Sequence, residues 1–148
     1  MISIIEDDEY KYDSIKDFLL SIDNNIMINT ANSVKGAKKL VTNNNSSIIL
    51  LDMTLPTFDI TKESTGGRPQ GFGGIEVLRY MEMIDNITPV IIVTQFQTFE
   101  FKDETQDISY LYELLEEENF INFKGIVQFS SSTDNWKNEL KSLLDEYL

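Results

Sequence analysis

The chain has 148 residues, of which 41% are hydrophobic and 25% are charged, a composition typical of one globular domain. It carries 25 acidic and 12 basic residues, and the resulting net charge of −13 opposes binding to a nucleic-acid backbone. Cysteine and histidine are absent, which excludes disulfides, thiolate sites, imidazole bases and imidazole metal ligands. The apolar runs are too short to cross a membrane, and acids interrupt the N-terminus where a signal peptide would continue, so a cytoplasmic protein is expected.

Hydrophobic periodicity predicts five short strands that alternate with five helices. Runs of aliphatic residues that end at a polar residue are typical of strands buried on both faces of a parallel sheet. The predicted strands cover residues 2–5, 26–30, 48–51, 90–93 and 126–129. Apolar residues at spacings of three and four predict helices at about 9–22, 34–41, 74–84, 108–115 and 136–147. This alternation indicates an α/β domain whose right-handed crossovers place helices on both faces of the sheet.

The first predicted helix has an apolar face and a charged face. Ile15 and Leu19 recur at helical spacing and are expected to face the core. Lys11 and Asp13 are assigned to the opposite, solvated side. The acids at 6–8 come just before this helix, where negative charge complements the helix dipole, and this is the simplest interpretation of that cluster.

Carboxylates follow two of the predicted strands directly. Glu6 and Asp7 come after the first strand, and Asp52 comes after the third. Because ligands of such folds bind at the carboxyl ends of parallel strands, these side chains are expected to converge at one edge of the sheet. Carboxylates that lie so close together need a proton or a cation between them, and a site with only oxygen ligands favours Mg²⁺. A cap or turn role is the alternative for Asp52.

The arrangement resembles the receiver domain of two-component response regulators. Receivers have an acidic pair after strand one, which Glu6 and Asp7 match. They carry a phosphoacceptor in an aliphatic-aliphatic-Asp-x-x-Leu/Met-Pro string, which residues 50–56 match with Asp52. A Thr or Ser follows strand four, and Thr94 matches it. The resemblance implies a flavodoxin-like, doubly wound fold with a five-stranded parallel sheet in the order 2-1-3-4-5 and five helices on both faces.

The same resemblance implies a Mg²⁺-dependent phosphorylation of Asp52. This carboxylate would attack the phosphorus of a phosphohistidine or a small phosphodonor and form an acyl phosphate. Mg²⁺ would be held by Asp7, Asp52 and the backbone carbonyl of Thr54, and it would screen the phosphoryl charge. Glu6 would reach the ion through a water molecule. The hydroxyl of Thr94 would then move onto a phosphoryl oxygen and switch the surface around strands four and five.

Two features depart from the receiver pattern. Receivers end strand five with Lys and Pro, whereas here no lysine stands at that end, and Lys124 precedes the strand. Ser130 offers a hydroxyl for the phosphate but no charge. A Gly-rich insertion at about 57–74 is expected close to the phosphorylation edge, and Arg68 within it is the hypothesised cation for the phosphate. A surface insertion without that role is the alternative.

These patterns predict a single receiver domain over residues 1–148, without an output domain, that signals by binding another protein. A sensor histidine kinase or a phosphotransfer protein is expected to phosphorylate it, and no direct contact with nucleic acid or membrane is expected. Its only catalysis would be its own phosphorylation and dephosphorylation. A homodimer through the face from strand four to helix five is left open. The abundance of Ile, Asn and Lys suggests an AT-rich bacterial genome.

Three other functions stay as alternatives. A pseudo-receiver would keep the fold and bind partners without using phosphate, and the missing strand-five lysine favours it. An Asp-nucleophile phosphatase of the haloacid-dehalogenase type would need an acid two residues after Asp52, where this chain has Thr54. A flavodoxin-like flavin carrier would need a loop rich in Gly and hydroxyls after strand one, where this chain has acids.

Overall fold

The computed structural model describes residues 1–43, 45–57, 69–70, 72–95, 98–101 and 104–147. Within these ranges the strands are β1 (Ile2–Ile5), β2 (Ile28–Ala31), β3 (Ile48–Leu51), β4 (Leu55–Pro56), β5 (Pro69–Gln70), β6 (Val90–Thr94), β7 (Thr98–Phe101), β8 (Glu104–Asp107) and β9 (Phe123–Gln128). The helices are α1 (Glu9–Ile22), α2 (Val34–Asn43), α3 (Gly73–Met83), α4 (Ile108–Glu118) and α5 (Asn135–Leu144). None of the helices in the described ranges combines the length and the apolar character needed to span a bilayer.

The strands that the sequence predicts form one parallel sheet in the order β2-β1-β3-β6-β9. This confirms the predicted order 2-1-3-4-5 and the flavodoxin-like fold. The register places Ile5 beside Leu51 and Leu51 beside Ile92, so β1 and β3 end level with each other. The N–H of Asp52 donates to the carbonyl of Ile5 at 2.9 Å and ties the two strand ends together. Residues that follow β1 and β3 therefore lie at the same edge of the sheet.

Two short antiparallel hairpins accompany the sheet, and the sequence analysis did not predict them. β4 pairs with β5, with Leu55 opposite Gln70 and Pro56 opposite Pro69. β7 pairs with β8. The strands of the first hairpin are two residues long and β8 contains no apolar residue, so hydrophobic periodicity could not detect them. The first hairpin joins the described parts of the Gly-rich insertion, while residues 58–68 and 71 lie outside the described residues.

Each face of the sheet carries its own apolar core. Successive side chains of a strand point to opposite faces, so Ile49 and Leu51 pack under α2, α3 and α4, whereas Ile48 and Leu50 pack under α1 and α5. All four residues of β3 are buried. Continuous aliphatic runs are expected when helices cover both faces of a parallel sheet, because neither face then meets water.

Helix α1 begins and ends where the sequence predicts, but one of its residues was assigned to the wrong side. The Asp8 carboxylate caps the helix by accepting the N–H of Lys11 at 3.0 Å. The side chain of Lys11 is only 1% exposed, so its assignment to the solvated face is wrong. It lies one and two turns before Ile15 and Leu19, on the face that packs against the sheet.

Candidate functional site

Three carboxylates meet at the carboxyl edge of the sheet, as the sequence analysis predicts. Glu6 and Asp7 follow β1, Asp52 follows β3, and one carboxylate oxygen from each lies within 4.8 Å of the others. Glu6 and Asp52 are 5% and 4% exposed, whereas Asp7 faces solvent. Oxygen ligands at this spacing, with one ligand open to water, suit a hard divalent cation.

The ammonium of Lys11 lies inside this cluster. Its Nζ is 2.6 Å from Oε2 of Glu6 and 3.0 Å from Oδ1 of Asp52. It also donates to the backbone carbonyl of Val93 at 2.7 Å. An ammonium has three protons to donate, and these three acceptors satisfy it completely. Lys11 therefore connects the ends of β1, β3 and β6 from the adjacent helix.

The cluster holds more negative than positive charge. Three carboxylates and one ammonium have a net charge of minus two when all of them are ionised. Burial and the charge of Asp52 raise the pKa of Glu6 to about 8, because together they outweigh the attraction of Lys11. Burial and the charge of Asp52 also raise the pKa of Asp7. A proton or a divalent cation relieves this excess.

Lys11 remains an ammonium despite its burial. Burial lowers the pKa of this group, but the charges of Asp52 and Glu6 raise it by more, and the pKa lies above its ordinary value. The site therefore contains a permanent positive charge next to Asp52. The position of Lys11 on α1 explains how this charge reaches the site. Its side chain starts on the face of α1 that packs against the core, and its four carbons carry the ammonium to the polar edge of the sheet.

The two oxygens of the Asp52 carboxylate have different surroundings. Oδ1 accepts from Lys11 Nζ and from the backbone N–H of Met53 at 2.9 Å. Oδ2 has a longer contact, 3.4 Å, from the hydroxyl of Thr54. Oδ1 is thus engaged by a charge and a backbone dipole, and Oδ2 is the less constrained oxygen.

The start of α3 closes tightly on the loop that carries Asp52. The N–H of Gly74 donates to the carbonyl of Met53 at 3.0 Å. A Cβ at Gly74 would lie 2.6 Å from the carbonyl oxygen of Asp52, closer than atoms approach without displacement. Glycine is required here because the helix backbone passes directly under the loop that carries Asp52.

Thr94 ends β6 beside the carbonyl that Lys11 contacts. Its side chain is fully buried, and within the described part of the chain its hydroxyl is a buried side-chain group with no hydrogen-bond partner. Its carbonyl accepts the N–H of Phe129, the first residue after β9. A buried unpaired hydroxyl costs free energy unless something bonds to it, so Thr94 is free to accept a new partner at this edge.

Of the two hypothesised phosphate contacts, Ser130 and Arg68, the structure describes only Ser130. The hydroxyl of Ser130 pairs with that of Ser132 at 3.0 Å and lines a cleft of about 310 Å³ between α1 and α5. Arg68, the hypothesised cation of the insertion, lies outside the described residues. Lys11 was missed because its charge assigned it to the surface, although its spacing from Ile15 and Leu19 placed it on the buried face.

Two known proteins of the same name are similar in sequence to this chain. No family model matches the chain. The chain is 33% identical over 111 residues to the Detocs response regulatory protein DtcB of Enterobacter cloacae, covering 74% of this chain and 73% of the relative. It is 26% identical over 147 residues to the protein of the same name from Vibrio alginolyticus, covering 97% and 99%.

A solved structure agrees with these relatives at the level of the fold. The receiver domain of a sensor histidine kinase from Pseudomonas aeruginosa superposes with a TM-score of 0.61 at 16% identity, covering 99% of this chain and 94% of that one. That structure holds a magnesium ion coordinated in its active-site cleft.

Proposed function

Because this chain belongs to the response regulator receiver family, we propose that it accepts a phosphoryl group on Asp52 in a Mg²⁺-dependent reaction and signals by binding a protein partner. The observation that carries this proposal is the convergence of Glu6, Asp7 and Asp52 within 4.8 Å at the carboxyl edge of the sheet. Such a cluster supplies both a nucleophile and a metal site.

Asp52 is the proposed nucleophile. Oδ2 of its carboxylate attacks the phosphorus of the donor, the bond from phosphorus to the donor's leaving atom breaks, and an acyl phosphate forms. A phosphohistidine donor leaves as imidazole and acetyl phosphate leaves as acetate. Oδ2 is the favoured attacking oxygen because Lys11 and the Met53 N–H already bind Oδ1.

The proposed ligands of Mg²⁺ are Asp7, Asp52 and the backbone carbonyl of Thr54, and Glu6 reaches the ion through a water molecule. The donor set fits because it contains only oxygens and because one divalent cation balances the excess negative charge. When bound, the ion supplies charge stabilisation for the transferring phosphoryl group. Asp7 faces solvent and leaves a path for the ion and the donor to enter.

Thr94 is the proposed switch residue. Its buried hydroxyl has no hydrogen-bond partner in the described part of the chain, and a phosphoryl oxygen on Asp52 would provide one. Forming that bond would pull on the end of β6. There the Thr94 carbonyl accepts the N–H of Phe129, so the movement would reach the segment after β9. A sensor histidine kinase or phosphotransfer protein is the proposed donor, and a second protein the proposed reader of this surface.

Intact mass spectrometry tests the function directly. The protein is incubated with acetyl phosphate with and without Mg²⁺, beside the Asp52→Asn variant. We expect a single phosphoryl adduct that requires both Mg²⁺ and Asp52. Absence of any adduct and of any beryllium fluoride binding in folded protein would contradict the proposal and favour a pseudo-receiver.

A further inference from the structure

We infer that Lys11, on helix α1, supplies the positive charge that receives the phosphoryl group on Asp52. This inference rests on the proposed function and names the residue that makes the site able to hold a phosphate without a lysine at the end of β9. Lys11 lies on a helix, where its charge, but not its spacing from Ile15 and Leu19, predicted a surface position.

Charge is the first reason. A phosphoryl group on Asp52 would bring negative oxygens to an edge that already holds two further carboxylates, Glu6 and Asp7. One divalent cation balances the cluster before phosphorylation but does not balance the added oxygens. That balance already counts the ammonium of Lys11. Without it, the three carboxylates and one divalent cation would keep a net charge of minus one, and the added oxygens would meet a stronger repulsion.

Distance and direction are the second reason. Nζ of Lys11 is 3.0 Å from Oδ1 of the carboxylate that would carry the phosphoryl group. Phosphoryl oxygens attached to Asp52 would lie within reach of Nζ, which would exchange one of its bonds to a carboxylate for a bond to a phosphoryl oxygen. Its bond to the Val93 carbonyl holds the ammonium beside Thr94, so both groups would meet the same phosphoryl group.

Among the described residues, those at the end of β9, from 126 to 133, carry no charge. Phe129 is buried there, and its ring packs against Trp136 at 4.9 Å and against Tyr10 at 6.5 Å between ring centroids. Tyr10 directly precedes Lys11, so this aromatic contact also fixes the first turn of α1. The aromatic residue after β9 and the lysine on α1 thus form one arrangement, in which the helix carries the cation that the strand lacks.

This role predicts opposite effects of one substitution on two ligands. In the metal-free protein the ammonium pairs with Glu6 and Asp52, so it competes with a second cation for these carboxylates and favours a phosphoryl group. Removing it should tighten Mg²⁺ binding and weaken the capture of phosphate. A lysine that merely supports the fold would, when removed, weaken both.

The test compares Lys11→Met with Lys39→Met, which removes an exposed lysine from α2. Mg²⁺ affinity is measured by calorimetry, and acetyl phosphate labelling and beryllium fluoride binding are measured at saturating Mg²⁺. We expect Lys11→Met to bind Mg²⁺ severalfold more tightly and to label at least about tenfold more slowly, a change of about 1.4 kcal/mol. Lys39→Met should match the wild type, and Lys11→Arg should recover part of the labelling rate.

Two results would overturn the inference while leaving the proposed function intact. One is wild-type labelling of Lys11→Met at saturating Mg²⁺, and the other is a parallel loss of Mg²⁺ affinity and labelling in a folded variant. Lys11→Gln, which keeps a donor but removes the charge, replaces Lys11→Met if the latter does not fold, and it is expected to label equally slowly. A wild-type protein that forms no adduct would overturn the proposed function and this inference with it.

Discussion

Both edges of the parallel sheet bury polar side chains, but they satisfy them differently. At the amino edge, Asn86 donates to the Val41 carbonyl at 2.9 Å and accepts from the hydroxyl of Thr88 at 2.7 Å. The amide of Asn122 donates to the carbonyls of Asn86 and Thr88 at 2.7 and 2.8 Å. At the carboxyl edge, Lys11 serves two carboxylates and Thr94 has an unpaired hydroxyl.

The difference separates the amino edge, which we call the structural edge, from the carboxyl edge, where we propose the reaction and which we call the reactive edge. Neutral amides and hydroxyls that bond to each other and to nearby carbonyls replace the hydrogen bonds that they lose on leaving water. They therefore stabilise the loops that they join. Buried carboxylates with one ammonium between them keep excess charge, which only a proton, a cation or a new anion partner can change. The same sheet thus holds a closed network at one end and an open network at the other.

Substituting Asp52 should have the largest effect on function. Asp52→Asn removes the proposed nucleophile, so we expect no phosphoryl adduct from acetyl phosphate by intact mass spectrometry. The hydrogen bonds of Asn86 at the amino edge should keep their wild-type stability in this variant. Labelling of another residue at an equal rate in this variant would show that the reactive edge was wrongly located.

Gly74→Ala should damage the reactive edge through packing alone. The new methyl group would lie 2.6 Å from the backbone oxygen of Asp52, and we expect the free energy of unfolding to fall by about 2–3 kcal/mol in urea titrations. Gly125→Ala is the matched control, because its Cβ would meet only the side chain of Leu143, at 3.0 Å or more. Equal losses in the two variants would contradict the requirement for glycine under the Asp52 loop.

Asn86→Ala should affect only the structural edge. It removes the amide that accepts from Thr88 and donates to the Val41 carbonyl, and we expect a loss of about 2 kcal/mol in the free energy of unfolding. Acetyl phosphate labelling at saturating Mg²⁺ should stay at the wild-type rate. A labelling rate that fell with stability would show that the two edges are coupled.

Mg²⁺ affinity should increase with pH. The pKa of Glu6 is raised to about 8, so below that value the carboxyl holds a proton that a cation must displace. We expect the affinity, followed by the fluorescence of Trp136, to rise by up to about a hundredfold, or about 2.7 kcal/mol, between about pH 6 and pH 9. Glu6→Gln should flatten this dependence, and a profile of the wild-type protein that is already flat would contradict the raised pKa.

Thr94→Val should have the smallest effect on the fold and a specific effect on the switch. Replacing an unpaired buried hydroxyl with a methyl group should increase the free energy of unfolding by up to about 1 kcal/mol. The Asp52 adduct should still form, while the change in Trp136 fluorescence on beryllium fluoride binding should be lost. A destabilised variant would indicate that the hydroxyl has a partner after all.

Most of the fold could be predicted because its pattern is local. The aliphatic runs of β1 and β3 end at Glu6 and Asp52, and both runs have the predicted bounds. β9 starts earlier than predicted because Lys124 and Gly125 interrupt its apolar pattern. The hairpins escaped prediction because pairing between short polar segments depends on what brings them together, which no local period records.

The amino-acid sequence by itself determined the sheet order, the acids at its carboxyl edge and the hydroxyl of Thr94, because each follows from where an apolar run stops. Only the tertiary structure decided where the positive charge lies. A lysine is assigned to the surface by its charge, yet Lys11 starts on the buried face of α1 and ends among carboxylates contributed by β1 and β3. Burying an ammonium is favourable only where those partners converge, and that convergence exists only once the strands and the helix have packed together.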